Sequence, residues 1–130
     1  MDLLEQAQQI VRARCWGMCE GCGKFGLHLD VHHRQARQAG GVHGEAILVA
    51  NAVPNLLALC RSCHDETEHH ETWDLTERIG WRIPKYVSDP SAVPALIHTV
   101  NGHAWWYLTQ DGGFIWIDWE VSHRLNYGLV

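Results

Sequence analysis

The chain has no surplus of positive charge: ten Lys and Arg face fifteen Asp and Glu, a formal net charge of −5 with histidine neutral. That excludes a broad electrostatic grip on nucleic acid or on an anionic membrane surface, which needs an extended basic field. Long apolar runs are missing too. Nothing approaches the roughly 20 residues needed to cross a bilayer. The first apolar stretch is broken by Glu5, Gln6, Gln8 and Gln9, so no secretory leader is expected and a cytoplasmic location follows as the expectation. Internal repeats and low-complexity tracts are absent. The 130 residues leave room for a single domain with a modest core.

Cysteine is the first positive signal. Four of the five form two pairs, Cys19-x-x-Cys22 and Cys60-x-x-Cys63, with Cys15 left over. In a reducing cytosol such pairs predict one structural zinc site rather than disulfides. Gly21 and Gly23 give the first knuckle the backbone freedom that a tight turn needs. A thioredoxin-like redox pair would use one of these motifs and leave the other unexplained. Cys15 is expected to be a buried, idle thiol at the end of the first helix.

The coarse elements follow from periodicity. Leu3, Leu4, Ala7, Ile10 and Val11 recur at helical spacing over residues 2–15. Residues 27–33 alternate, placing Leu27, Leu29 and Val31 on one buried face and His28, Asp30 and His32 on the other. Gly40-Gly41 and Gly44 demand a loop, Ala46–Ala50 is a short helical or extended piece, and Asn55–Leu59 is a second apolar stretch. Ser62 is a candidate N-cap for a helix running to about Thr72, with a further helical piece over Asp74–Arg78. Beyond Gly80, Pro84, Pro90 and Pro94 divide the chain, with a turn at Ser88-Asp89-Pro90. Ala104–Leu108 and Phe114–Trp119 read as a hairpin preceded by an Asn101-Gly102 turn.

The order of these features carries chemistry. A knuckle is followed by a strand ending in His32-His33, a glycine loop, Asn55, and a second knuckle running into His64. Adjacent histidines at a strand end point to different sides, so one can hold a metal ion while its neighbour reaches a water molecule. An imidazole titrates near neutral pH and suits a general base.

Cys19-Glu-Gly-Cys22, Val31-His-His-Arg34, Gly40-Gly41 and the run from Pro54-Asn55 to Cys60-Arg-Ser-Cys63-His64 together resemble the HNH endonuclease family. The resemblance spans about 45 residues. It implies an α+β fold: a zinc-stapled ββα-metal, treble-clef core over residues 19–72, an N-terminal helix over 2–15, and a Trp-rich antiparallel β extension, a hairpin or meander, over 81–120. All lie in one domain, 1–130. It also implies metal-dependent hydrolysis of DNA phosphodiester bonds, with His32 and His64 as ligands of a catalytic ion, His33 as general base and Asn55 pinning the loop that aims it.

Water and phosphate oxygens are expected to complete the ion's shell, with Glu68 or His69 as the alternative third ligand. Mg²⁺ or Mn²⁺ is the expected ion, and two imidazoles would also suit Ni²⁺ or Zn²⁺. Arg34, Arg37 and Arg61 flank the site as candidates for phosphate contacts, ordinary surface charge being the alternative. His28, His43 and His70 are expected to be solvated. The layout is similar to small HNH proteins of phages, which implies a bacterial host cell and a packaging protein such as terminase as partner. The rival reading is a non-catalytic zinc module that binds DNA or a protein, which needs the four cysteines but not the His32, His33, Asn55 and His64 set.

Tryptophan is abundant, at 16, 73, 81, 105, 106, 116 and 119. Trp105 and Trp106 must face opposite sides of their strand. The expectation is that one face packs on the finger and supplies core that a small zinc module lacks. A base-stacking platform is disfavoured by Asp111, Asp118 and Glu120.

Overall fold

A computed structural model describes residues 1–36 and 45–117. Arg37, Gly40, Gly41, His43 and Gly44, together with Asp118, Trp119 and Glu120, lie outside them. The described residues form a mixed α and β structure with two small antiparallel sheets. None of its helices is long and apolar enough to cross a membrane.

The first helix, α1 (Leu3–Cys15), opens on a capping box in which Asp2 accepts from the Glu5 N–H and the Glu5 carboxylate accepts from the Asp2 N–H. Ala7, Val11, Arg14 and Cys15 are its buried residues, the inward stripe that helical spacing predicts. Trp16 (φ 55°) and Gly17 (φ 77°) turn left-handed and end it. The helix lies against β2.

The first sheet pairs β1 (Leu29–His33) with β2 (Leu56–Cys60). Leu29 stands opposite Cys60 and His33 opposite Leu56. The strand was expected to begin at Leu27 with that side chain inward. Leu27 is instead 46% exposed, because β2 ends opposite Leu29 and offers it no partner. Every residue of β2 is buried, as a continuous apolar run predicts.

The ambiguous Ala46–Ala50 piece is helical, α2 (Glu45–Ala50). From β2 the chain passes directly into α3 (Arg61–Glu68), with Cys60 rather than Ser62 at the cap and no side-chain cap bond. The helix stops at His69 instead of running to Thr72. The Thr72 hydroxyl donates to the Glu66 and His69 carbonyls there, and a hydroxyl that takes the terminal acceptors competes with further helical bonding. A short 3₁₀ turn, His70–Thr72, leads into α4 (Trp73–Arg78).

The second sheet is a meander of β3 (Ala95–Thr99), β4 (Gly102–Leu108) and β5 (Phe114–Trp116) in that order. Trp105 and Trp106 are both buried, so both faces of β4 are covered rather than the one face expected. Trp116 is exposed.

Two buried arginines hold these parts together. Arg14 forms a bidentate pair with Glu20, at 2.8 and 2.7 Å, and also donates to the Leu56 carbonyl. Both side chains are wholly buried. Glu20 also accepts from the Ala58 N–H at 2.9 Å, so one carboxylate joins α1, the knuckle and β2. Of the pair's side-chain polar atoms, Arg14 Nη1 is buried without a hydrogen-bond partner among the described residues, and the others are met in this way.

Arg34 is 1% exposed and donates to the carbonyls of Gly80, Pro54, Pro90, Val93 and Pro94. Burial, with a smaller push from Arg14, lowers its pKa to about 9, which leaves it charged at neutral pH. The cage requires close backbone approach: a Cβ on Gly80 would lie 2.0 Å from the Pro94 carbonyl oxygen. Replacing Arg34 by Met should strand those carbonyls and destabilise the protein by about 3 kcal/mol. Chemical denaturation measures this, and a loss below about 1 kcal/mol, the scale of an ordinary surface change, would contradict the cage.

Candidate metal centres

Four thiols meet where the first knuckle faces the β2–α3 junction. The Cys19, Cys22, Cys60 and Cys63 sulfurs lie within 4.8 Å of one another, with Cys22 and Cys60 Sγ 3.9 Å apart. Backbone N–H groups of Cys22 and Cys60 point at Cys19 Sγ, at 3.5 and 3.2 Å, which stabilises a thiolate there. Burial raises the Cys63 thiol, and the neighbouring sulfurs add to the rise. A cation among the sulfurs would favour its thiolate. Four soft sulfurs at this spacing are positioned to hold one metal ion and are compatible with structural zinc.

The knuckle is closely packed: Gly23 has φ 79°, and a Cβ on Gly21 would come 2.9 Å from the Trp81 ring. Cys15 is buried at the end of α1 and takes no part in the cluster.

A second group is formed by residues of β1 and α3. Ligand atoms of His32, His64 and Glu68 all fall within 4.8 Å of one another. The tautomers follow from their partners. His32 Nε2 faces the Trp81 carbonyl at 2.8 Å; a carbonyl can only accept, so Nε2 carries the hydrogen and Nδ1 keeps a lone pair. His64 Nδ1 donates to Asp30 Oδ2 at 3.0 Å, which leaves His64 Nε2 free on the side of Glu68, 3.6 Å away. Two imidazoles whose second N–H is tied to an oxygen are prepared as metal ligands.

His32 is neutral near pH 7. Burial drives its pKa to about 4, assisted by the nearby His64, His33 and Arg34 and opposed by its bond to the Trp81 carbonyl. Asp30 behaves in the opposite sense. Burial pushes its pKa up, but the His64 bond and the charges of Arg61, His64 and His28 outweigh it and bring the pKa below the usual value.

His33, the next residue on the strand, is half-buried. Its Nε2 lies 3.0 Å from Asn51 Oδ1, so that nitrogen donates and Nδ1 remains an acceptor. Asn55 is fully buried. Its amide oxygen accepts from the Gln35 N–H at 2.8 Å, and its nitrogen donates to the Ala50 carbonyl at 2.8 Å and the Gln35 carbonyl at 3.3 Å. It clamps the chain just after His33 to the end of α2.

Some expected residues fall elsewhere. His69 is exposed at the end of α3 and outside the ligand group. Arg34 cannot reach a phosphate because its donors are taken up by the carbonyl cage. Arg61 lies 3.3 Å from Asp30, exposed and behind His64. Arg37 and His43 lie outside the described residues. His28 is exposed, as expected, but sits 3.3 Å from Asp30, and His70 stacks on Trp73 at 3.9 Å.

Asp30, Asn51, Trp81 and Arg82 were not singled out from the sequence as site residues. Only Asp30 carried a signal, since strand alternation puts it on the same face as His32. No family model, curated protein or solved structure matches the chain.

Two outcomes follow. Replacing Cys22 by Ser should remove the tightly held zinc, of which metal analysis should find about one per chain in the unaltered protein, and should lower the melting temperature sharply. Asp30→Asn should weaken Mn²⁺ binding by about 10- to 100-fold while zinc content stays unchanged. Titration calorimetry reads the first quantity, and an unaltered Mn²⁺ affinity would remove Asp30 from the site.

Proposed function

We propose that the protein is a metal-dependent endonuclease of the HNH type, hydrolysing DNA phosphodiester bonds. The observation that carries this reading is the convergence of His32, His64 and Glu68 ligand atoms beside His33. These residues line a cleft of about 260 Å³ together with Val31, Thr67, Trp73 and Arg82. The residues fit a divalent ion: two imidazoles present lone pairs and one carboxylate supplies charge. In this reading β1, β2 and α3 form the ββα-metal core, stapled by zinc at the four cysteines.

Bound there, a divalent cation would supply Lewis-acid stabilisation of charge on the phosphate and its departing 3′ oxygen. The chain's own groups do the rest. His33 accepts a proton from the attacking water at Nδ1 while Asn51 holds its other nitrogen. Asn55 fixes the backbone that follows His33, and so the direction of the ring. Trp81 and Asp30 hold the two ligand imidazoles in the tautomers that leave lone pairs available. Glu68 stands as the third ligand.

A role beside a phage packaging protein is part of the proposal. The −5 charge fits a nuclease delivered to DNA by a partner better than one that finds it unaided.

Supercoiled plasmid incubated with the protein and Mn²⁺ or Mg²⁺ should be nicked. His33→Ala should lower the rate by about 100-fold or more, the usual share of a general base. Equal cutting by both proteins, or none by the parent with zinc in place, would overturn the nuclease reading in favour of a non-catalytic zinc module.

A further inference from the structure

The cleft contains two arginines, Arg34 and Arg82, and they differ in what their donors do. Arg34 is used by the fold. Arg82 is not: its Nη1 is buried without a hydrogen-bond partner among the described residues. Its nearest carboxylate oxygen, on Glu77, is 3.9 Å away, too far for a hydrogen bond. The guanidinium lies over the Trp73 ring, 3.8 Å from its centroid, and Trp73 Nε1 is likewise buried and unpartnered. A stacked arginine keeps the donors in its own plane directed outward.

The backbone beside Arg82 is fixed on both sides. The Arg82 N–H donates to the Thr76 carbonyl of α4, and the Ile83 N–H donates to the Arg34 carbonyl. This side chain is a preorganised cation in an otherwise acidic chain, beside a candidate ion centre, with Glu77 as a distant ion-pair partner. Leaving its Nη1 buried without a hydrogen bond is unfavourable unless a ligand oxygen completes it.

We propose that Arg82, held flat against Trp73, binds a phosphate of the nucleic-acid strand in the cleft. It does the work first expected of Arg34 and Arg61. The inference rests on the nuclease reading of the same cleft and names the group that engages the substrate's anionic backbone. Arg82 therefore sets affinity and salt dependence, while the imidazoles set metal affinity.

The test uses the full-length, zinc-loaded protein in a His33→Ala background with Mn²⁺, so that a labelled DNA oligonucleotide is bound but not cut. Fluorescence anisotropy over a series of salt concentrations should show Arg82→Gln weakening binding about tenfold and reducing the slope of log K against log salt by about one. Mn²⁺ affinity and zinc content should stay the same. Arg82→Lys keeps the charge but loses the planar fork, so it should keep the slope while losing affinity, and it serves if Arg82→Gln does not fold.

Unchanged affinity and slope in Arg82→Gln, with plasmid nicking intact in the parent, would overturn this proposal and leave the nuclease reading standing. Arg82-dependent binding without any nicking by the parent would support the anion site and overturn the chemistry. No DNA binding and no nicking would overturn both.

Discussion

Everything near the candidate ion centre depends on four sulfurs being drawn to one point. The first knuckle and the β2–α3 junction are about 40 residues apart in the chain, and neither can fix the other's position by local propensity. Crowded, part-buried thiols do not cluster stably by themselves; burial and mutual repulsion raise Cys63 and favour its protonated form. A cation reverses that balance. Once the sulfurs are gathered, Leu29 stands opposite Cys60, and that register sets where His32 and His33 emerge. It also starts α3 directly after Cys60, which puts His64 on its first turn and Glu68 one turn later.

Buried charge then carries this order outward. Glu20 sits inside the knuckle and ties it to α1 and β2 through Arg14 and the Ala58 N–H. Its backbone carbonyl accepts from the His98 N–H of β3, which joins the knuckle to the second sheet. Arg34 gathers five carbonyls that lie 20 to 60 residues further along the chain, and so pins the proline-rich stretch beneath the site. Trp81 completes the link. Its ring fits against Gly21, its Nε1 donates to Leu96, and its carbonyl orients His32. The Trp-rich sheet is thus a brace for the finger, and through Trp81 it sets which nitrogen of His32 is available.

Much of this was legible in the sequence where one residue type admits few uses. Cys-x-x-Cys pairs, a fully apolar strand and the apolar stripe of the first helix each follow from local chemistry. What could not be read depended on partners distant in the chain. Arg34 looks like surface charge because an arginine satisfied by carbonyls leaves no mark on any neighbouring residue type. Trp81 orients His32 through its backbone carbonyl, which almost any residue supplies, and Asn51 reaches His33 through its side-chain amide oxygen from 18 residues away. Arg82 became visible only when Trp73 was placed beneath it. Helix ends failed for a related reason: Thr72 ends α3 by reaching back to Glu66, a choice that periodicity does not encode.

The proposed function requires two metal centres with different jobs, a sulfur cluster that would build the scaffold and a nitrogen–oxygen group that would serve the chemistry. Anomalous diffraction from zinc-loaded crystals soaked in Mn²⁺ tests it most directly. The account predicts two separate peaks, zinc amid the four cysteine sulfurs and manganese between His32, His64 and Glu68. A single metal peak at the cysteines, with none beside the histidines at saturating Mn²⁺, would contradict it.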